Sequence, residues 1–248
     1  MTKPNGIILY RGPSLLDGKP IVVIATGLNS KSTNEKTGNM IQTWIMRDDV
    51  SPVDAVKNGA DSSICGSCKH RWFLGGSCYV MVWQAPLSVY NAFKRGIYAN
   101  ASLQEITAIG AKRKVRVGSY GDPAAVPVEV WQALTAQAEA WTGYTHQWEG
   151  GKADALKPYV MASADTVQEG LDARANGWRT FRIRDLNNAP LADNEFICPA
   201  SAEAGYKTDC ASCKACMGTS AKAKANPVIV VHGARSKRFT LSVNGIAA

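Results

Sequence analysis

The chain has 248 residues, 46% of them hydrophobic and 19% charged, with 22 glycines and a formal net charge of +8. That composition excludes an intrinsically disordered chain, and no apolar run approaches the roughly 20 residues a membrane helix needs. A single core of about 200–250 residues accommodates the whole length, so one domain over 1–248 is expected.

In chain order, Met1-Thr-Lys-Pro-Asn-Gly6 leads into an apolar run interrupted by Arg11 and Pro13. It lacks the apolar core and small-residue cleavage site of a secretory leader, which predicts a cytoplasmic protein. The run Ile21 to Ala25 has the β-branched density of a buried strand, and Met40 to Met46 reads as its partner, giving an N-terminal strand pair within about 1–50. Ser51-Pro52 and Gly59 bracket a short helix, Val53 to Asn58, and Val80 to Trp83 reads as a strand. Pro86 to Tyr98 follows with helical spacing, and Ser102-x-x-Glu105 is a capping box for another helix.

From Lys114 onward strands and helices alternate. Lys114 to Val117, Tyr144 to Trp148, Tyr159 to Ala164, Trp178 to Ile183, Glu195 to Cys198 and Val228 to Val231 read as strands. Pro127 to Trp141 and the Thr166-capped segment ending at Gly177 read as helices. Strands separated by helices of this length imply right-handed crossovers and a parallel sheet. The expected class is therefore α/β, a full or partial (β/α) barrel of the TIM type with cysteine-rich metal-binding loops, and an open doubly wound sheet is the runner-up. Met217 to Asn226 reads as a Lys/Ala-rich linker.

Seven cysteines fall in two tight groups, which argues against a disulfide framework and for reduced thiols that hold metal. In the segment 198–216, Cys198, Cys210, Cys213 and Cys216 make a complete four-thiolate shell for zinc or for an iron–sulfur cluster. The other group, Cys65-x2-Cys68-x9-Cys78, is one ligand short. With His70 it makes a zinc knuckle; without it, a three-cysteine cluster with one open iron. The residues alone leave both open.

In parallel barrels, functional groups collect at the carboxyl ends of the strands. Those ends carry Ser119, Tyr120 and Asp122; Tyr144, His146 and Trp148; Ser163 and Asp165; Arg182 and Arg184; Cys198; and His232. Alternation puts Tyr144, His146 and Trp148 on one face, and Arg182 with Arg184 on one face of their strand. Inward-pointing arginines need an anion, which Asp185, Asp193 or a substrate phosphate or carboxylate would supply. Asp165 also reads as a simple helix cap, and Trp141 and Trp148 as packing residues. The net charge permits nucleic-acid contact through Lys112-Arg-Lys-Val-Arg116 and Arg235-Ser-Lys-Arg238, although solvated edges look the same.

The order Cys65-Gly-Ser-Cys68, then Cys78-Tyr79, then Gly118-Ser-Tyr-Gly-Asp122-Pro123 with Val126-Pro127 opening a helix, resembles radical S-adenosylmethionine proteins. The likeness runs from Ser62 to Asp185 and is strongest to a phage-associated branch of that superfamily, which would put a phage-encoded chain in the host cytoplasm. The spacing here is C-x2-C-x9-C where the family's usual one is C-x3-C-x2-C. The resemblance implies a [4Fe–4S] cluster on Cys65, Cys68 and Cys78 with an open iron for S-adenosylmethionine. Tyr79 would be the family's aromatic neighbour, and Gly118, Ser119, Tyr120 and Gly121 the strand end that binds the cofactor, with Arg182 and Arg184 as anion partners. Asp122, Tyr144 and His146 are the catalytic candidates for a small-molecule or nucleotide-like substrate, in an oxidoreductase, lyase or transferase. Cys198, Cys210, Cys213 and Cys216 would hold an auxiliary [4Fe–4S] cluster. The contrasting reading is a basic protein stapled by two Zn2+ ions that binds nucleic acid or a protein partner without catalysis.

Overall fold

The computed structural model describes residues 4–30, 35–185, 187, 190–220 and 223–244. The chain opens with three strands, β1 (Gly6–Pro13), β2 (Pro20–Thr26) and β3 (Ile41–Arg47), paired antiparallel in sequence order. Ile21 through Ala25 are fully buried, so β2 is covered on both faces and reads as a continuous apolar run rather than an alternating one. The expected strand pair is thus a three-stranded unit; the interruption by Arg11 and Pro13 concealed β1, which tolerates them as an edge strand.

Helix α1 (Pro52–Asn58) begins as the sequence predicts: Ser51 Oγ accepts from Asp54 N at 3.1 Å, and Gly59 closes it at φ 84°. A one-turn helix α2 (Ser62–Cys65) delivers the first cysteine. Val80 to Trp83, expected as a strand, is a turn into α3 (Ala85–Lys94), with Gln84 N donating to Met81 O at 3.0 Å. Pro86 pre-sets the first helical turn, and the place beside β3 is taken by β4 rather than by this apolar stretch. Helix α4 (Leu103–Gly110) has both halves of its capping box: Glu105 N donates to Ser102 Oγ and Ser102 N to Glu105 Oε2.

The alternating part follows as β4 (Lys114–Tyr120), α5 (Val128–Thr135), β5 (Ala140–Thr145), β6 (Met161–Ala164), α6 (Val167–Ala175), β7 (Thr180–Arg184), β8 (Glu195–Ile197), α7 (Cys210–Cys213), β9 (Asn226–Val230) and α8 (Phe239–Val243). The helix expected to reach Trp141 stops at Thr135, and Trp141 lies in β5. Glu139 N donates to Arg113 O at 2.9 Å, so the parallel ladder to β4 captures the chain one turn after the helix ends. Strand β5 ends at Thr145, ahead of His146 and Trp148, where the His146 N–H is taken by the Asp122 carboxylate.

The nine strands form one sheet, ordered β1-β2-β3-β4-β5-β6-β7-β9-β8, and every pair from β3 to β8 is parallel. Strand β9 inserts between β7 and β8. Among the described residues nothing pairs β1 with β8, so the sheet is mixed and open, not a closed barrel. One face carries α4, α5 and α6. There Trp131, Leu134 and Ile106 pack with Val115, Val117, Ile41 and Ile45 in the main core, and each such fully buried aliphatic side chain contributes about 1.5–3 kcal/mol. A Cβ at Gly110 would collide with the Leu134 carbonyl, which sets how closely α4 approaches α5.

Candidate metal centres

The other face of the sheet lines a cavity of about 430 Å3. Its wall follows a two-residue period along the strands, with Gln42 and Trp44 of β3, Arg116, Gly118 and Tyr120 of β4, Thr142 and Tyr144 of β5, Ser163 of β6, Phe181 and Ile183 of β7, and Pro227 and Ile229 of β9, broken at the end of β4 where Ser119 also lines it. A flat sheet of six strands would span about 24 Å. One cavity touching all six means that the sheet curls round it. All three cysteines of the first group and all four of the second line this cavity.

The first group sits in the loop from α2 to α3. The loop doubles back on itself, with Cys68 N donating to Cys65 O at 3.2 Å and Cys78 N to His70 O at 2.9 Å. The Trp72 indole donates to Cys78 O at 3.1 Å. Two strand ends anchor it: Asp122 N donates to Ile64 O at 2.6 Å, and Gln147 bonds Ser67 Oγ and Cys65 O at 3.1 and 3.2 Å.

The second group is assembled from two segments. Cys198 follows β8, while Cys210 and Cys213 bound α7, where the Asp209 side chain accepts from Ser212 N at 2.7 Å. Cys210 N donates to Lys36 O at 2.9 Å, which ties α7 to the segment before β3.

All seven cysteines are free thiols. Burial pushes Cys68 and Cys78 up to about 12, and Cys65 well above its ordinary value, with neighbouring thiols of the same group adding to the Cys65 and Cys78 shifts. In the second group burial raises Cys198 and Cys210 and takes Cys216 to about 12, while Arg116 and Lys36 work against it. The mutual electrostatic effects show that each group converges on its own centre. Desolvated neutral thiols of this kind ionise on binding a metal, whose charge replaces the lost solvation.

Among the described residues only His70, His146 and Asp165 bring three ligating atoms within 4.8 Å of one another, so neither cysteine group does. Tetrahedral zinc with Zn–S bonds of about 2.3 Å holds its sulfurs about 3.8 Å apart. A four-iron cube holds its thiolates further apart, because each binds a different iron.

Arg116 lies between the groups. It is buried, donates to Tyr79 Oη at 3.3 Å and lies 4.9 Å from the centroid of the Tyr144 ring. Among the described residues it has no carboxylate partner. Burial raises the Tyr144 hydroxyl well above its ordinary value, with the nearby Cys216 thiol adding to the shift. The Tyr79 ring stacks on His232, 5.4 Å between centroids.

Other expected site residues have structural partners. Asp122 accepts from Ala124 N at 2.9 Å, Thr145 Oγ1 at 2.7 Å and His146 N at 2.8 Å, a brace between the ends of β4 and β5; burial raises its carboxyl despite them. Gly118 N donates to Thr43 Oγ1 at 2.8 Å, and Ser119 Oγ to Gln42 Oε1 at 2.7 Å. Gly118 and Gly121 have φ of 72° and 82°. Tyr120 is buried at the cavity wall with its hydroxyl unpartnered. His146 faces the cavity with Tyr144, whereas Trp148 is buried and donates to Ser163 O at 2.9 Å.

Arg182 and Arg184 do not reach the cavity. Phe181 and Ile183 occupy the inner face of β7, so the arginines are sent to the outer one. Arg182 is paired with Glu195 at 2.6 Å and Arg184 with Glu203, neither of which is the aspartate expected. Asp165 is not the cap of α6, a role held by Thr166, and lies 2.9 Å from His70 Nε2. Arg116 was hidden in the basic run 112–116; its two-residue offset from Gly118 was the available signal.

No protein-family model, curated protein or solved structure matches the chain. Among the described residues no helix is long and apolar enough to cross a membrane.

Proposed function

We propose that the chain is an iron–sulfur enzyme of the radical S-adenosylmethionine type. The carrying observation is the placement of the cysteines: a group of three and a group of four free thiols line one cavity. Cys65, Cys68 and Cys78 would hold a [4Fe–4S] cluster with one open iron, and Cys198, Cys210, Cys213 and Cys216 a fully ligated one. A cluster with four protein thiolates has no position for a substrate, so turnover belongs to the trio and the second cluster serves as a support or electron relay.

The architecture agrees with that reading. The first cysteine group lies on the crossover after β3, the first strand of the parallel series, and the mostly parallel, open sheet is compatible with such a fold. A cavity of about 430 Å3 is within the range of small-molecule sites and suits a nucleoside-sized cofactor beside a compact substrate. When bound there, cluster and S-adenosylmethionine together supply a 5′-deoxyadenosyl radical, formed by one-electron reductive cleavage, that abstracts hydrogen from the substrate.

The chain's own residues do the rest. Arg116, without a carboxylate partner, offsets thiolate charge and attracts an anionic ligand group. Gly118 and Gly121 give the turn after β4 its positive-φ backbone and line the cavity together with Ser119 and Tyr120. Tyr144 and His146 present the wall a substrate would meet.

The reading is tested by incubating anaerobically reconstituted protein with dithionite and S-adenosylmethionine. Production of 5′-deoxyadenosine, abolished in Cys68→Ala, supports it. Colourless protein carrying zinc at both cysteine groups, with salt-sensitive retention on nucleic acid, would instead establish the zinc-stapled binding protein.

A further inference from the structure

We propose that His70, His146 and Asp165 form a third, mononuclear site for a divalent first-row transition ion. One ligating atom from each lies within 4.8 Å of the other two. They come from three separate segments: His70 from the cysteine loop, His146 from just beyond β5, and Asp165 from between β6 and α6.

Three buried polar atoms here have no hydrogen-bond partner: His70 Nε2, His146 Nε2 and Asp165 Oδ1. His70 Nε2 and Asp165 Oδ1 are 2.9 Å apart, yet off the line a hydrogen bond requires. An ion pair between them accounts for two of the three atoms and leaves the His146 nitrogen buried and unsatisfied, at a cost of about 1–3 kcal/mol. A cation accounts for all three.

The surroundings orient the donors. Ser77 Oγ is 2.8 Å from His70 Nδ1, leaving Nε2 for the ion, and the His70 ring is stacked on Phe239 with 5.5 Å between centroids. His146 N donates to Asp122 Oδ2 at 2.8 Å, which fixes the backbone from which the second imidazole projects. Lys69, 4.0 Å from Asp165 Oδ2, is drawn to Glu169 at 2.5 Å, so Oδ1 is not covered by it.

Two imidazoles and one carboxylate suit Mn2+, Fe2+ or Zn2+ and leave coordination positions open. Both histidines line the cavity, so those positions face it, and an ion there would act as a Lewis acid on a substrate oxygen. This site does not depend on the cluster reading, because it uses no cysteine.

The test is an anaerobic titration of the full chain with Mn2+, a poor thiolate partner, followed by the loss of the free-ion EPR signal. The expected result is one tightly bound Mn2+ per chain, displaced by Zn2+, with affinity reduced at least tenfold in His146→Gln and in Asp165→Asn and unchanged in Cys65→Ser. Far-UV circular dichroism monitors folding; if Asp165→Asn fails to fold, His146→Gln decides, since that imidazole belongs to no ion pair. Absent binding, or equal affinity in wild type and His146→Gln, would overturn the proposal. Loss of binding in Cys65→Ser alone would assign the ion to the cysteines and overturn it as well.

Discussion

The guanidinium of Arg116 lies 4.9 Å from the centre of the Tyr144 ring, and through this pair the two cysteine groups are joined. On one side Arg116 donates to Tyr79, the neighbour of Cys78; on the other, Cys216 and Cys210 act electrostatically on the Tyr144 hydroxyl. A buried cation at this point offsets negative charge on the second group most directly, as its electrostatic effect on Cys210 and Cys216 shows. Replacing it with a neutral side chain of similar length removes that compensation. If the second group holds the proposed cluster, Arg116→Met is expected to lower that cluster's reduction potential, by about 60 mV for each 1.4 kcal/mol of lost interaction in a one-electron couple. Potentiometric EPR titration measures it, and an unchanged potential would remove Arg116 from this role.

The thiols carry a pH signature in the metal-free chain. With Cys68, Cys78 and Cys216 near 12, their thiolate fraction at pH 8 is about a thousandfold below that of an ordinary thiol, and alkylation slows in proportion. The folded chain binds these protons more tightly than the unfolded one. Stability of the metal-free protein is therefore fully present below about pH 9 and falls as pH rises from there toward 12. Iodoacetamide kinetics by mass spectrometry and urea titrations at pH 8 and 10 check both statements, and rapid alkylation at pH 8 would contradict them.

The pair of Arg182 and Glu195 is almost fully buried and joined by two bonds of 2.8 and 2.6 Å. Glu195→Leu leaves a buried cation unpaired and is expected to cost about 3–5 kcal/mol, while Arg182→Met/Glu195→Leu together should recover most of it. Burial raises the Glu195 carboxyl, but Arg182 and the Ala192 N–H outweigh it and hold it below the usual carboxylate value. The pair's contribution is thus present above the ordinary glutamate range and lost as pH falls below it. Thermal melts of the single and double variants between pH 3 and 7 provide the measurement.

Gly121 has φ 82°, and a Cβ there would stand 2.7 Å from Ile45 Cβ and 2.8 Å from Ile45 O. Gly121→Ala combines left-handed backbone strain of about 1–2 kcal/mol with overpacking of about 1–3 kcal/mol. Gly150, at φ 72° with nothing within 4 Å, bears only the first cost. A larger fall in melting temperature for Gly121→Ala than for Gly150→Ala is the expected result.

Local chemistry made much of the fold legible. The caps at Ser51, Ser102 and Thr166 are where the side-chain pattern puts them, because a capping bond is decided within four residues. Pairing is decided elsewhere: Trp141 lies on a helical stripe by sequence and joins β5 because β4 is beside it. Sheet closure was not legible either, since the two edge strands are separated by almost the whole chain. At the site, all seven cysteines, Tyr144 and His146 line one cavity, while the alternation expected through Trp148 breaks down because β5 ends at Thr145. Alternation also put Arg182 and Arg184 together but could not say which face was inner; Phe181 and Ile183, the apolar residues of β7, took it.

The most direct measurement is the iron and acid-labile sulfide content of anaerobically reconstituted protein. Two four-iron clusters predict about eight of each per chain, falling to about four in Cys65→Ala and in Cys213→Ala separately. Stoichiometric zinc with no sulfide, unchanged in iron content by either substitution, would contradict the account.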